Sequence, residues 1–301
     1  MKTLIKVLLI IAVSLLFIGG IFFGTGLLVA KGDFSALSYM EVKDGSYTEN
    51  QDNKITSISI DFNITDVSVE FSETATSLSV DYQETFTKNG KQVRKVVITE
   101  QSGALHVKQE NVKKLGFIIG FDFTNPKVKV TIPSDRIINM NVETNTGDVA
   151  INKTGTFNNL IISTNTGDVS LQGGEISCLN KAEFDVNTGD IMIKSLFSAK
   201  TIEMESGTGD ITFYKDVKTE NLTIETSTGD VETEQGLIDS NKVFIETSTG
   251  DVEIKLVGQK SDYSLSLRTS TGDKNVENTT GGQKSINVKC STGDIEVYFE
   301  K

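Results

Sequence analysis

From residue 140 to the C-terminus, apolar and polar positions recur with a period of about 21 residues. A Thr-Gly-Asp triplet marks each repeat and occurs eight times, ending at Asp148, Asp168, Asp190, Asp210, Asp230, Asp251, Asp273 and Asp294. Counted from each Asp, position −8 is Met140, Leu160, Ala182, Ile202, Leu222, Val243, Leu265 and Ile286, and position −6 is equally apolar, from Val142 to Val288. Position −4 is small (Thr144, Thr164, Val186, Ser206, Thr226, Thr247, Thr269, Cys290), whereas position −5 is mostly charged. This alternation has period two and predicts a strand with one buried face. After the Asp, apolar residues sit at +1 (Val149 through Ile295, with Lys274 as the exception) and at +3. Inward positions are therefore even before the triplet and odd after it. A straight strand cannot keep both sets inside, so the triplet predicts a bend. The glycine column (Gly147, Gly167, Gly189, Gly209, Gly229, Gly250, Gly272, Gly293) supplies the backbone freedom, and the Asp offers an acceptor for turn amides.

Each repeat then holds two short strands, a fixed Thr-Gly-Asp corner and a variable corner that absorbs the length differences, such as Asn278 to Ser285 with Gly281 and Gly282. Residues in one column are alike in every repeat, which equivalent strands stacked in parallel explain better than alternating hairpins of a sandwich. The expected fold is all-β, a single-stranded parallel β-helix or solenoid. Worn copies extend upstream: Ile58, Ile60 and Phe62 before Asp66, then Val96 to Val107, then Val128 to Ile132. The last repeat runs to Lys301, so its edge is expected to be covered only by Glu296, Glu300 and Lys301, or by a partner.

Residues 7–30 are uncharged and follow Lys2 and Lys6. As a helix they would extend about 36 Å, beyond the roughly 30 Å hydrocarbon core. Leu28-Val29-Ala30 lacks a small-x-small cleavage pattern, so an uncleaved anchor is expected. The preceding lysines predict a single-pass membrane protein with its N-terminus in the cytoplasm and its C-terminal domain outside. The expected organisation is 1–6 cytoplasmic, 7–30 transmembrane, 31–54 juxtamembrane linker, 55–139 degenerate coils forming a cap, and 140–301 regular solenoid.

The pattern apolar-x-apolar-x-Thr-(Asn/Ser)-Thr-Gly-Asp-Val, as in Leu222 to Val231, resembles the bacterial candidate-adhesin β-strand-repeat family. The resemblance covers roughly residues 55–301. Some members are membrane-anchored and similar to LiaG-type proteins of Gram-positive envelope-stress systems. It implies a bacterial surface protein, right-handed in its coiling, with no established catalytic residue.

The chain carries a formal charge of −12. Three of its 29 bases and none of its acids fall in residues 1–32, leaving 26 bases against 41 acids, a net −15. That excludes nucleic acid as a natural partner and suits a cation, a basic peptide or an uncharged surface. His106 is the one histidine, and Arg94, Arg136 and Arg268 are widely spread. No Ser/His/Asp or Cys/His set, phosphate loop or zinc spacing can be assembled, so neither an enzyme nor a cofactor is expected. Cys178 and Cys290 lie about five repeats apart, too far for a disulfide, and both read as core. The threonines at −2 (Thr146 through Thr292) sit at a bend, which argues against a flat hydroxyl ladder. The Asp column is the one constellation with chemistry in it. Stacked carboxylates about 4.8 Å apart repel by roughly 1 kcal/mol even in water. Turn amides are the simpler offset; calcium is the sharper alternative, yet one Asp per coil supplies few of its 6–8 oxygen ligands.

Three functions fit. The first is a non-enzymatic envelope protein that binds glycan, wall polymer or another protein. The second is an accessory of an envelope-stress response that engages cationic antimicrobial peptides. The third is a spacer.

Overall fold

The computed structural model describes residues 12–21, 24, 25, 28, 38–50, 54–112 and 124–300. The chain forms two units, one of Met1–Lys43, Glu84–Arg94 and Asn111–Thr124, the other of Asp44–Gln83, Lys95–Glu110 and Asn125–Lys301.

The first unit contains helical residues 12–21 and an antiparallel hairpin in which Thr85 pairs with Arg94. The expectation of a membrane-spanning helix over 7–30 is corrected here. Among the described residues no helix is long and apolar enough to cross a membrane. The single-pass localisation inferred from that helix therefore falls. Residues 1–11 and 29–37, which complete the expected N-terminus, anchor and linker start, lie outside the described residues.

The strands run in the order β1 (Met40–Thr48), β2 (Ser57–Ile64), β3 (Asp66–Ser72), β4 (Ser79–Thr87), β5 (Gln92–Gln101), β6 (Ala104–Asn111) and β7 (Lys127–Pro133). They continue with β8 (Ile137–Thr146), β9 (Val149–Asn152), β10 (Gly155–Thr166), β11 (Val169–Thr188), β12 (Ile191–Thr208) and β13 (Ile211–Phe213). The series ends with β14 (Val217–Thr228), β15 (Val231–Thr233), β16 (Ile238–Thr249), β17 (Val252–Val257), β18 (Tyr263–Thr271), β19 (Lys284–Thr292) and β20 (Ile295–Glu300). Strand β1 occupies part of the segment read as a linker.

In the second unit, equivalent strands stack in parallel and in register. Val142 pairs with Ile162, Ile162 with Phe184, Phe184 with Met204, Met204 with Ile224, and Ile224 with Ile245. All six are buried, as are the −8 and +1 columns of these coils, so the period-two alternation is the wall of one continuous core. The small −4 column is inward too: Cys290 lies between Thr247 and Thr269. The five coils from Asp148 to Asp230 also have a third strand segment. Gly155–Phe157, 176–178, 197–199, 217–219 and 238–240 lie side by side and point Phe157, Ile176, Phe197, Val217 and Ile238 inward. Chain irregularities at 158–159, 173–174 and 179–180 separate it from its neighbours. What reads as one variable corner is thus two bends with a strand between them.

The order of layers differs from the order of sequence at both ends. Across the first segment the strands run β6, β2, β8, β10, β11, β12, β14, β16, β19, β18. The Asp294 coil is inserted between the Asp251 and Asp273 coils, so the last repeat, with Glu296 and Glu300, is not the outermost layer. Lys274 gives the physical reason. It stands where every other coil has Val or Ile, and a lysine ammonium cannot be enclosed between two apolar layers without losing several kcal/mol of hydration. As an end layer, its coil leaves Lys274 exposed. At the opposite end β6 and β7 lie outside the Asp66 coil, although they follow it in sequence. Residues 79–82 of β4 then run antiparallel to β7.

Candidate functional site

The Thr-Gly-Asp corners form three stacked columns. Each corner glycine has φ between 141° and 147°, a conformation that side-chain-bearing residues rarely adopt. A Cβ on Gly209 would lie 2.0 Å from the carbonyl oxygen of Gly189, and the same approach recurs along the column. The corner therefore needs glycine for the turn and for the closeness of adjacent coils. The Gly167 amide donates to the Thr188 carbonyl at 3.0 Å, and the Gly189 amide to Thr208 at 2.9 Å, which continues the ladder through the bend.

The aspartates accept hydrogen bonds from the neighbouring coil, not from their own turn. The Asp168 amide donates to Oδ1 of Asp148 at 2.9 Å, Asp190 to Asp168 at 2.9 Å, Asp210 to Asp190 at 2.9 Å and Asp230 to Asp210 at 2.8 Å. The column continues through Asp251, Asp294 and Asp273 at 2.7 Å each, and begins one coil earlier, with the Asp148 amide on Asp66 at 3.1 Å. Amide dipoles between successive carboxylates supply the offset that their mutual repulsion requires. Among the described residues no group of three or more His, Cys, Asp or Glu side chains is arranged to hold a metal ion. The side chains of Asn145, Asn165 and Asn187 form a parallel carboxamide ladder, with bonds of 3.2 and 2.8 Å.

Charge collects on the outward face of the first segment. Positions −7 and −5 place Glu183 beside Glu203, and Asp185, Glu205, Glu225 and Glu246 in successive layers. Lys181 bridges Glu183 and Glu203 at 2.9 and 2.7 Å, and Lys289 pairs with Glu246 at 3.1 Å. Paired and unpaired acids together border two depressions. One, of about 130 Å³, is lined by Glu183, Asp185, Glu203, Glu205 and Glu225. The other, of about 470 Å³, combines Asp61, Glu143 and Asp185 with the asparagine ladder. A second outward column stacks Glu232, Glu253 and Glu296. Burial, then the charges of Asp230, Glu234, Asp210 and Glu253, push the Glu232 carboxyl up. Ionised Glu232 thus opposes folding, and this cost fades as pH falls through its raised folded value. Glu232→Gln is expected to raise the urea midpoint at neutral pH and to leave it nearly unchanged near pH 4, where the native carboxyl is itself protonated.

The other residues singled out in the sequence do not join a site. His106 is exposed on β6. Cys178 and Cys290 are free and buried in different strand segments, and burial pushes the Cys178 thiol up to about 12. The −2 threonines stack in register at the corner, where their carbonyls serve the glycine amides.

The sequence profile of the family described as Toastrack DUF4097 matches residues 55–297, the whole run of coils. The chain belongs to the Toastrack family. Among solved structures, a candidate adhesin from Bacteroides fragilis is 12% identical with a TM-score of 0.50 and covers 85% of this chain and 97% of its own. Another, from Parabacteroides merdae, is 16% identical with a TM-score of 0.50 and covers 84% and 96%. At these identities the likeness shows a shared Toastrack fold. No curated protein matches the chain.

Proposed function

We propose that this Toastrack protein is a non-enzymatic binding module of the bacterial cell surface, adhesin-like, whose partner carries positive charge. The observation that carries this reading is the outward acidic face of the first segment, where Glu183, Glu203, Asp185, Glu205 and Glu225 repeat layer by layer on a rigid sheet. Rows of like charge on a fixed scaffold attract an extended polycation at little conformational cost to the protein. A basic peptide or an amine-bearing envelope polymer fits that description, and nucleic acid does not. The resemblance of the B. fragilis and P. merdae proteins, both described as candidate adhesins, supports a surface role.

The test is titration of the full chain with a fluorescent oligolysine peptide. Binding is expected to weaken at least about tenfold between low and physiological salt, as screening shortens the range of the face. Glu203→Gln combined with Glu205→Gln is expected to weaken it further at low salt while leaving the melting temperature unchanged. Binding that ignores both salt and these substitutions would exclude this face.

A further inference from the structure

The outward face of the first segment changes character along the stack. From the Asp190 layer to the Asp230 layer it presents rows of carboxylates. On the other side of Asp190 a groove of about 470 Å³ runs along the stack between the −5 and −3 columns. One wall carries Glu143, Ser163 and Asp185, the other Asn145, Asn165 and Asn187. Both walls point away from the core, because the −4 residues between them, Thr144, Thr164 and Val186, are buried. Asn165 Nδ2 donates to Asn145 Oδ1 at 3.2 Å, and Asn187 Nδ2 to Asn165 Oδ1 at 2.8 Å. The ladder is directional. Among the described residues, the Asn145 amide hydrogens at one end and the Asn187 carboxamide oxygen at the other meet no protein partner. It stops at Gly207, where a Cβ would stand 2.9 Å from Asn187 Oδ1 and no side chain continues the column.

We propose that this groove binds a neutral linear glycan, a chain of β-linked pyranoses laid along the stack. Hydrogen-bond balance favours this occupant. A sugar hydroxyl both donates and accepts. A carboxamide has two N–H groups and an oxygen with two lone pairs, and the ladder uses at most one of each. Every rung therefore keeps a donor and an acceptor for a ligand, and the opposite wall adds the Ser163 hydroxyl and two acceptors. A lysine or arginine side chain brings donors only and would leave the carboxamide hydrogens unmatched. Charge is also diluted here. Asp61, which lines the same groove, is paired with Lys108. Ser163 separates Glu143 from Asp185 by two layers, about 9.6 Å, which is roughly a Debye length in physiological salt. The rungs are held before any ligand arrives, so binding forfeits little side-chain freedom. Layers about 4.8 Å apart also advance at close to the step of one β-linked pyranose, which lets successive sugars meet successive rungs. Of the groove lining, Asp185 alone also lines the acidic depression, and the inference does not rest on the cationic partner.

The experiment titrates the full chain with β-linked tetramers of glucose and of N-acetylglucosamine, in mild detergent because the helical residues 12–21 expose Leu15, Leu16 and Phe17. Calorimetry gives the affinity, and the side-chain amide resonances of Asn145, Asn165 and Asn187 report the place. At least one tetramer is expected to bind and to shift those three resonances. Its affinity should change by less than about twofold between low and physiological salt, since neither partner charge drives it. Asn165→Asp keeps the shape of the rung but replaces its donors with an acceptor, and should weaken the tetramer at least about fivefold. The same variant should bind oligolysine as well as the wild type does, or better. Asn165→Ala, which removes both ladder bonds and adds no charge, should weaken the tetramer by a similar factor. Asn165 is exposed, so both variants should keep the wild-type melting temperature. Three asparagine resonances that neither tetramer moves would overturn the proposal. So would a tetramer that binds the wild type and both variants equally, and so would oligolysine shifting those resonances where the tetramers do not.

Discussion

Gly209→Ala is expected to lower the stability of the second unit by about 4 kcal/mol, at the upper end of single-substitution effects. Two costs act together. The residue holds φ at 145°, which an alanine adopts only with strain. Its new Cβ would also stand 2.0 Å from the Gly189 carbonyl oxygen and 3.0 Å from Oδ1 of Asp190. The oxygen belongs to the backbone of a layer held on both sides, so it cannot swing away as a side chain would. The coils must separate locally, which breaks the Asp210 amide bond to Asp190 as well. Equilibrium denaturation in urea measures the loss, and Gly281→Ala provides the comparison. Gly281 has φ of 96° but nothing within 4 Å of its Cβ position, so that variant shows the backbone strain alone. A Gly209→Ala effect no larger than the Gly281→Ala effect would show that the stack does not require the glycine column.

The second large effect is expected at Glu49. Its carboxylate is buried, accepts hydrogen bonds from the Ile55 and Leu78 amides, and pairs with Arg136 at 2.6 Å. Burial works against ionisation, but the Arg136 hydrogen bond and the two amides outweigh it and hold the carboxyl below the usual carboxylate range. Glu49→Ala leaves a mostly buried guanidinium and two amides without their partner, and about 3–5 kcal/mol should be lost at neutral pH. The pH dependence has a definite sign. Because the folded value is depressed, the stabilisation is fully present above the unfolded value near 4.5 and disappears as pH falls through the folded value. The gap between wild type and variant in a urea-midpoint series should therefore narrow on acidification below about pH 4.5. A gap that stays constant with pH would mean that the carboxylate's charge is not what Arg136 and the amides hold.

The parts of this fold legible in the sequence are those with a constant offset from Thr-Gly-Asp. The −8, −6, −4, +1 and +3 columns align because nothing is inserted between them and the corner, and they became the paired, buried columns of Val142 through Ile245. The third strand segment was hidden by phase. It begins 7 residues after Asp148, Asp190 and Asp210 but 8 after Asp168 and Asp230, so an alignment at fixed offset blurs it. Its inner positions also mix Cys178, Ala199, Thr219 and Ser240, which carry no clear apolar signal. The layer order was hidden because neighbouring layers are alike and a local pattern does not say which copy sits beside which. Lys274 was the available clue, one charged residue in an apolar column. The acidic face was visible as alternating charge, but the aspartate ladder was not. Its bonds join residues 20 to 82 apart in the chain and depend on which coil lies next. The Glu49–Arg136 pair spans 87 residues between irregular segments and had no sequence signal. At the N-terminus hydropathy alone suggested a spanning helix, and among the described residues no helix is long and apolar enough to cross a membrane.

The interleaved ends bear on how such a protein can change its length. At one end the Asp66 coil is closed off by chain that arrives later, β6 and β7, and at the other the later Asp294 coil is inserted beneath the earlier β18. Loss or gain of a repeat at either end would therefore open a gap inside the stack. Between Asp168 and Asp251 successive repeats are successive layers, and both neighbours of each layer present the same glycine, aspartate and apolar columns. Gene duplication or deletion of one repeat there would lengthen or shorten this unit by one strand spacing, about 4.8 Å, and leave both terminal layers intact. Variation in reach is thus confined by construction to the middle of the chain.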